Sequence, residues 1–290
     1  MRKLLIGCGV AVAALVLLLV VGGVIGFQWV KSQMPHMDEL KQSRQTLLER
    51  FGPRDEFVPA LDGVLHPERV ELFMAVRESL LTTRGEVGVR LEGFIGRTKG
   101  NSWEGRSVFQ KIVEGLNMAR GGVGLFGEAT TYVGNRARWL LDAGMGEGEY
   151  TYLFCLMAYS WLEWDASRVL DAQWFESHDM AESLDEFRMQ HRRLFVKQLR
   201  NARRELEAKT DRSAAENATL EMVTQALEVA RGDDFPFQGA VPPAWAAVLE
   251  PYRQRFEATL PRAPGEYILE SVEQLIDEED KRGFHIQRDQ

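Results

Sequence analysis

The sequence predicts an all-α protein, with a single N-terminal transmembrane helix followed by a multi-helix globular domain. Three observations lead there. Leu4 to Phe27 is a run of 24 residues with no charge, Asn, Gln or Pro. Downstream, apolar residues recur at spacings of three and four, the period of a helix with one buried face. No stretch keeps the strict alternation of a strand for more than a few residues.

The apolar run comes first. At 1.5 Å per residue it would be about 36 Å long, enough to cross a hydrocarbon core of about 30 Å with some tilt. Its five glycines suit a membrane helix, where glycine is commoner than in water-soluble helices, and Trp29 falls where an interfacial aromatic belongs. A cleaved signal peptide has a shorter core and a small-x-small cleavage site, whereas this run ends Gly23-Val24-Ile25-Gly26-Phe27. Leu5-Ile6-Gly7-Cys8 resembles a lipoprotein signal, but it precedes the apolar core instead of following it. Residues 1–30 are therefore expected to anchor the chain in a lipid bilayer through residues 4–27, and residues 31–290 to form the helical domain. Arg2, Lys3 and the terminal amine are a compact positive cluster, while Lys31, Lys41 and Arg44 are spread among Asp38 and Glu39. That asymmetry places the N-terminus inside and the domain outside the cytoplasm, as in a bacterial inner-membrane protein facing the periplasm.

A linker over 28–37 precedes a helix from Asp38 to Phe51, stopped by Gly52-Pro53. Pro59 to Pro67 reads as a loop. A helix from Pro67 to about Leu81 carries Val70, Phe73, Met74, Val76, Leu80 and Leu81 on its apolar side. Residues 85 to 148 hold 15 of the 26 glycines, yet Phe109 to Met118 and Trp139 to Leu141 keep helical spacing. Gly144 to Glu149 breaks the chain. Tyr150 to Leu162 is a 13-residue apolar run, too short to span a membrane and suited to a central buried helix. Ala181 to Lys209 is the longest helical candidate, with a seam of Leu184, Phe187, His191, Leu194, Leu199, Ala202 and Leu206. Ser213 to Arg231 follows, capped by Asp211 or Ser213 and closed by Gly232. Shorter helices are expected over 244–259 and 266–280.

Composition narrows function. The net charge of −8 argues against nucleic-acid partners, since phosphate contacts need clustered Lys and Arg. The two cysteines, Cys8 and Cys155, lie 147 residues apart in separate apolar stretches and form no disulfide framework. Cys155 reads as a small buried hydrophobe.

Several motifs match chemistry by pattern alone. Gly122 to Gly127 spells G-x-G-x-x-G, but a dinucleotide site needs a strand before it, and Ile112 to Arg120 has helical spacing. A helix break or a close helix approach explains those glycines. His178 and Glu182 share a helix face with Asp179 nearby, but one histidine at an acidic helix start is thin material for a metal site. Glu147 with Glu149, and Glu163 with Asp165, are acidic pairs beside glycines or helix ends. No G-x-S-x-G occurs. The sequence therefore assigns no catalytic residue, cofactor or metal.

The 188–209 stretch stands out. It carries eight basic residues against Glu205 and Glu207, a local charge of +6 that leaves −14 for the rest. Arg193, Lys197, Arg200 and Arg204 are spaced 4, 3 and 4 and form one stripe, a candidate docking surface for an acidic protein or anionic envelope partner. Neutralisation by the acidic remainder is the plainer reading. Glu266, Glu270, Glu273 and Asp277 repeat the same spacing with opposite sign, so the two stripes are expected to meet within one molecule. The chain reads as a membrane-anchored binding or scaffolding protein of the cell envelope. An envelope hydrolase with a dispersed site, or an oligomerisation module using the 181–209 seam, are the alternatives. The sequence fixes no oligomeric state.

Overall fold

The computed structural model describes residues 37–97, 122–170 and 181–270. Among them every regular element is helical and none is a strand, as the apolar periodicity predicts. The elements are α1 (Met37–Phe51), a 3-10 turn (Arg54–Glu56), α2 (Pro67–Arg97), α3 (Gly122–Asp142), α4 (Glu147–Cys155), a π-helical continuation (Leu156–Trp161), α5 (Ala166–Val169), α6 (Ala181–Ala208), α7 (Ala214–Val229), α8 (Pro243–Leu249), a second 3-10 turn (Glu250–Tyr252), α9 (Arg253–Ala258) and α10 over 264–270. No described helix is long and apolar enough to cross a membrane, and residues 4–27 lie outside the described residues.

The predicted central helix is the axis of the domain. Tyr150 to Ser160 are all buried, and Leu156, Met157 and Ala158 are wholly shielded from solvent. A surface helix buries one stripe, whereas this one is apolar all round because neighbours cover every face. α6 and the 54–56 turn pack on it directly, while α1 and α2 lie against α3. Midway the helix widens. The N–H of Leu162 donates to the carbonyl of Met157 at 3.0 Å, an i−5 bond. Such π turns are uncommon and often mark functional positions. This one leads to Glu163, which takes a left-handed φ of 50° and ends the helix.

α2 departs most from the sequence reading. It runs 16 residues past Leu81 to Arg97, through Gly85, Gly88 and Gly93. The packing gives the reason. A Cβ on Gly88 would stand 2.8 Å from the backbone nitrogen of Glu266, and one on Gly265 would overlap the carbonyl of Gly88. Gly88 and Gly265 thus let the two backbones touch where α10 crosses α2. The helical-propensity loss of about 1 kcal/mol per glycine is set against that close contact.

α1, α6 and α7 match expectation within two residues, whereas α4 begins at Glu147, three residues before the expected start at Tyr150 and inside the break expected over Gly144 to Glu149. α7 begins at a capping box in which Ser213 and Glu216 each accept the other's backbone N–H. The expected helix over 244–259 is split by Pro251, which sits within the second 3-10 turn. Phe109 to Met118 and residues 271–280 of the last expected helix lie outside the described residues.

Candidate functional site

The basic residues of α6 meet different fates according to the side of the helix they occupy. Arg192 turns inward and closes the end of α7, donating to the carbonyl of Asp234 at 2.9 Å and to those of Ala230 and Gly232. Arg188 lies over the Phe235 ring at 5.4 Å. Lys209 pairs with Glu216, whose carboxyl is held down to about 2 chiefly by that lysine. Arg203 pairs with Glu207 one turn on, at 2.7 Å.

The predicted stripe is only partly open. Lys197 bridges to Asp55 at 2.5 Å, and Arg204 donates to Asn201 at 3.1 Å while staying exposed. Beside Lys197, Gln198 donates to the carbonyls of Arg54 and Gly148 at 3.0 and 2.9 Å, and Asn201 donates to that of Asp55 at 2.9 Å. This part of α6 is therefore the seat of the 54–56 turn. Arg193 and Arg200 are exposed and contact no acidic side chain among the described residues.

The acidic stripe does not cover the basic one along its described half. Glu270 accepts from Arg77 at 3.1 Å and from Arg84 at 2.9 Å, and Glu266 lies 3.7 Å from Arg84. Both partners belong to α2. The expected pairing fails because α10 crosses α2 at Gly88 and so presents its acids there. Glu273 and Asp277 lie outside the described residues. The α6 seam is no free interface either. Phe187, His191, Leu199, Ala202 and Leu206 are buried within the chain, against α4 and α7.

The second site is interior, and the sequence reading passed over it. Arg77 is 2% exposed, Arg84 3% and Arg136 6%, with Glu270 at 9%. Arg77 is the hub. Its Nε donates to the Thr259 hydroxyl at 2.9 Å, its Nη1 to the Tyr150 hydroxyl at 3.1 Å, and its Nη2 to the Thr259 carbonyl at 2.7 Å. Its guanidinium faces the Phe154 ring at 4.8 Å, and that of Arg136 faces the Tyr150 ring at 4.4 Å. Burial alone would raise the Glu270 carboxyl, but Arg77, Arg84 and Arg136 outweigh it and hold the group below its usual range. A signal was present in the sequence. Arg77 and Arg84 sit two turns apart among Val70, Phe73, Met74, Leu80 and Val87, where α2 should be apolar throughout. Arg136 falls likewise between Val133 and Leu140.

Arg54, Arg77, Arg136, Tyr150, His191 and Glu270 share the lining of a cavity of about 20 Å³, room for one water molecule. Burial and the nearby Arg54, Arg136 and Arg77 push the His191 imidazole well below its ordinary value, so it is neutral at pH 7. A larger cleft of about 70 Å³ lies between the 57–66 loop and α6, α7 and α8, with the Arg69–Glu149 pair at its edge. Both are small beside ordinary ligand pockets of roughly 300–1,000 Å³.

The remaining candidates resolve as structural. Glu149 is held by Arg69, and Asp165 caps α5 by accepting from the Ser167 backbone at 3.0 Å, so one member of each acidic pair, Glu147 with Glu149 and Glu163 with Asp165, is engaged in a structural contact. Gly122 to Gly127 are the first described turns of α3, helical where a phosphate loop would be needed. Cys155 is fully buried, and burial pushes its thiol well up. His178 and Asp179 lie outside the described residues. Among the described residues no group of three or more His, Cys, Asp or Glu is placed so that it could hold a metal ion. Comparison with protein-family models, with characterised proteins and with solved structures finds no match to this chain.

Proposed function

We propose that this chain is a membrane-anchored binding or scaffolding protein of the cell envelope. In this reading residues 4–27 hold it in the bilayer, the helical domain lies outside the cytoplasm, and α6 presents Arg193 and Arg200 to an anionic partner. The supporting observation is the division of labour along α6. Arg188, Arg192, Lys197, Arg203, Arg204 and Lys209 all have partners inside the molecule. Arg193 and Arg200, two turns apart, remain exposed on one side. Two arginines on a fixed helix suit bidentate recognition of carboxylate or phosphate groups, and steer association more than they fix affinity. The tether favours such a role, because the nine residues 28–36 reach at most about 30 Å and confine the domain to the membrane surface.

Crosslinking in native membranes tests it. The full chain should capture a discrete partner, and the charge reversal Arg193→Glu with Arg200→Glu should abolish the capture without changing stability. Identical crosslinked species from both chains would end this reading. Treatment that removes anionic envelope polymers separates an acidic protein from a polymer partner. Protease added to intact spheroplasts should digest the domain, and full protection would reverse the topology.

A further inference from the structure

The cleft between the 57–66 loop and α6, α7 and α8 carries an inference independent of the basic face of α6. We propose that it is a binding site for a small neutral amphiphile of about four non-hydrogen atoms, an alkyl group bearing one hydroxyl or carbonyl oxygen, as in a three-carbon alcohol or ketone.

Phe57, Leu65, Leu153, Leu199, Met222 and Val223 give the void an apolar wall. Polar side chains line it too, and several are already engaged. Arg69 donates through Nε to Glu149 at 2.6 Å, Thr219 donates to the carbonyl of Ala215 at 2.9 Å, and Trp245 donates through Nε1 to the carbonyl of Gly63 at 2.8 Å. Tyr152 differs. It is 6% exposed and lines the same void, and its hydroxyl has no hydrogen-bond partner among the described residues. Burial alone pushes that hydroxyl up. A buried hydroxyl left unpaired costs free energy, whereas an apolar void disfavours water. A molecule with an alkyl body and one oxygen meets both conditions, pairing with Tyr152 while its carbons cover the wall. Arg69 and Glu149 neutralise each other at the edge, which suits an uncharged ligand. The volume sets the size. A void of about 150 Å³ takes benzene, and this one, at about 70 Å³, takes roughly four non-hydrogen atoms.

The walls are set before a ligand arrives. The Tyr152 ring meets that of Phe195 edge-on at 5.2 Å and lies 5.7 Å from that of Phe57. The loop is seated on α7 at Gly63, whose φ is 69° and where an added Cβ would stand 2.4 Å from the Thr219 hydroxyl oxygen. Val64 beside it also lines the void, yet is exposed, and so marks its mouth.

The test uses the full chain in detergent micelles, with methionine methyl groups carbon-13 labelled and 2-propanol as the probe. The Met222 methyl resonance should shift along a saturating curve, with a Kd on the order of millimolar for so small a ligand. Met74 and Met157, wholly buried elsewhere in the core, should not move. Tyr152→Phe should raise the Kd roughly fivefold while leaving the Met74 and Met157 signals in place, since it removes one hydrogen bond. Ala202→Val, which puts two more methyl groups into the void, should abolish the saturable shift. If that variant fails to fold, Val223→Ile takes its place. A Met222 signal that does not move, or that drifts linearly without saturating, would overturn the proposal and leave the void to packing or water. A curve of the same size in the filled variant would overturn it as a general solvent effect, and an unchanged Kd in Tyr152→Phe would overturn the pairing with the hydroxyl.

Discussion

Arg77 and Arg84 on α2, and Arg193 and Arg200 on α6, are the same residue at the same spacing of two helical turns. The first pair is buried and tied to Glu270, and the second stands in solvent. Charge does not decide the difference, since all four are arginines. Their neighbours do. Arg77 and Arg84 occupy positions that Val70, Phe73, Met74, Leu80 and Val87 drive into the core, and they are carried in with them. Once inside they require a carboxylate, which α10 supplies. Arg193 and Arg200 fall opposite the seam of Phe187, Leu199, Ala202 and Leu206, so nothing draws them in. A basic residue on a helix is thus structural or free according to the stripe it shares.

Removing the interior carboxylate should cost most. Glu270→Ala takes the carboxylate from buried Arg77 and leaves Arg84 only the longer contact to Glu266 at 3.7 Å, and should lower unfolding free energy by about 3–5 kcal/mol in chemical denaturation. A loss under about 1 kcal/mol would show that the pair is solvated and that the contrast is false. Acid probes the same group. The folded Glu270 carboxyl lies below 4.5, so its contribution is fully present above that pH and is lost as pH falls through the folded value. His191 acts sooner. Its folded value is depressed below 6.5, so the unfolded chain binds its proton first and stability begins to fall as pH drops below 6.5. Denaturation midpoints that stay flat from pH 7 to 5 would contradict a buried neutral His191.

The apolar core gives a reference for those charges. Leu156→Ala, at a site wholly shielded by the helices around it, should cost about 2–5 kcal/mol. A shift below about 1 kcal/mol would move the core elsewhere. Gly265→Ala should follow at about 1–3 kcal/mol, because a methyl group there overlaps the Gly88 carbonyl and pushes α10, with Glu270, away from α2. Its melt should also show weaker acid sensitivity below pH 4.5, as Glu270 loses its arginines. An unchanged acid profile would separate the glycine contact from the ion pair. The smallest effect belongs to the outer pair, where Arg193→Ala with Arg200→Ala should stay within about 0.5 kcal/mol of the parent.

Much of the helical layout could be read from spacing. Tyr150 to Leu162 announces its burial by lacking any charge, and α6 and α7 announce their limits by seam, cap and glycine. The extension of α2 could not be read, because glycine weakens a helix locally and the compensating contact with Gly265 comes from 177 positions away. The interior site was half legible. Arg77, Arg84 and Arg136 interrupt apolar stripes, an irregularity visible in one dimension, but their carboxylate is set by where α10 crosses. Matching stripes of opposite sign misled for the same reason. Exposed pairs contribute only about 0–1 kcal/mol each, too little to choose the docking of a helix. Backbone contact at Gly88 and Gly265 sends Glu266 and Glu270 to α2 instead.

The claim that stripe membership decides an arginine's role is tested most directly by matched double substitutions in the full chain, read by urea denaturation. Arg77→Gln with Arg84→Gln should lower unfolding free energy by about 3 kcal/mol or more, or prevent folding. Arg193→Gln with Arg200→Gln should leave it within about 0.5 kcal/mol. Equal losses from the two pairs would contradict the account.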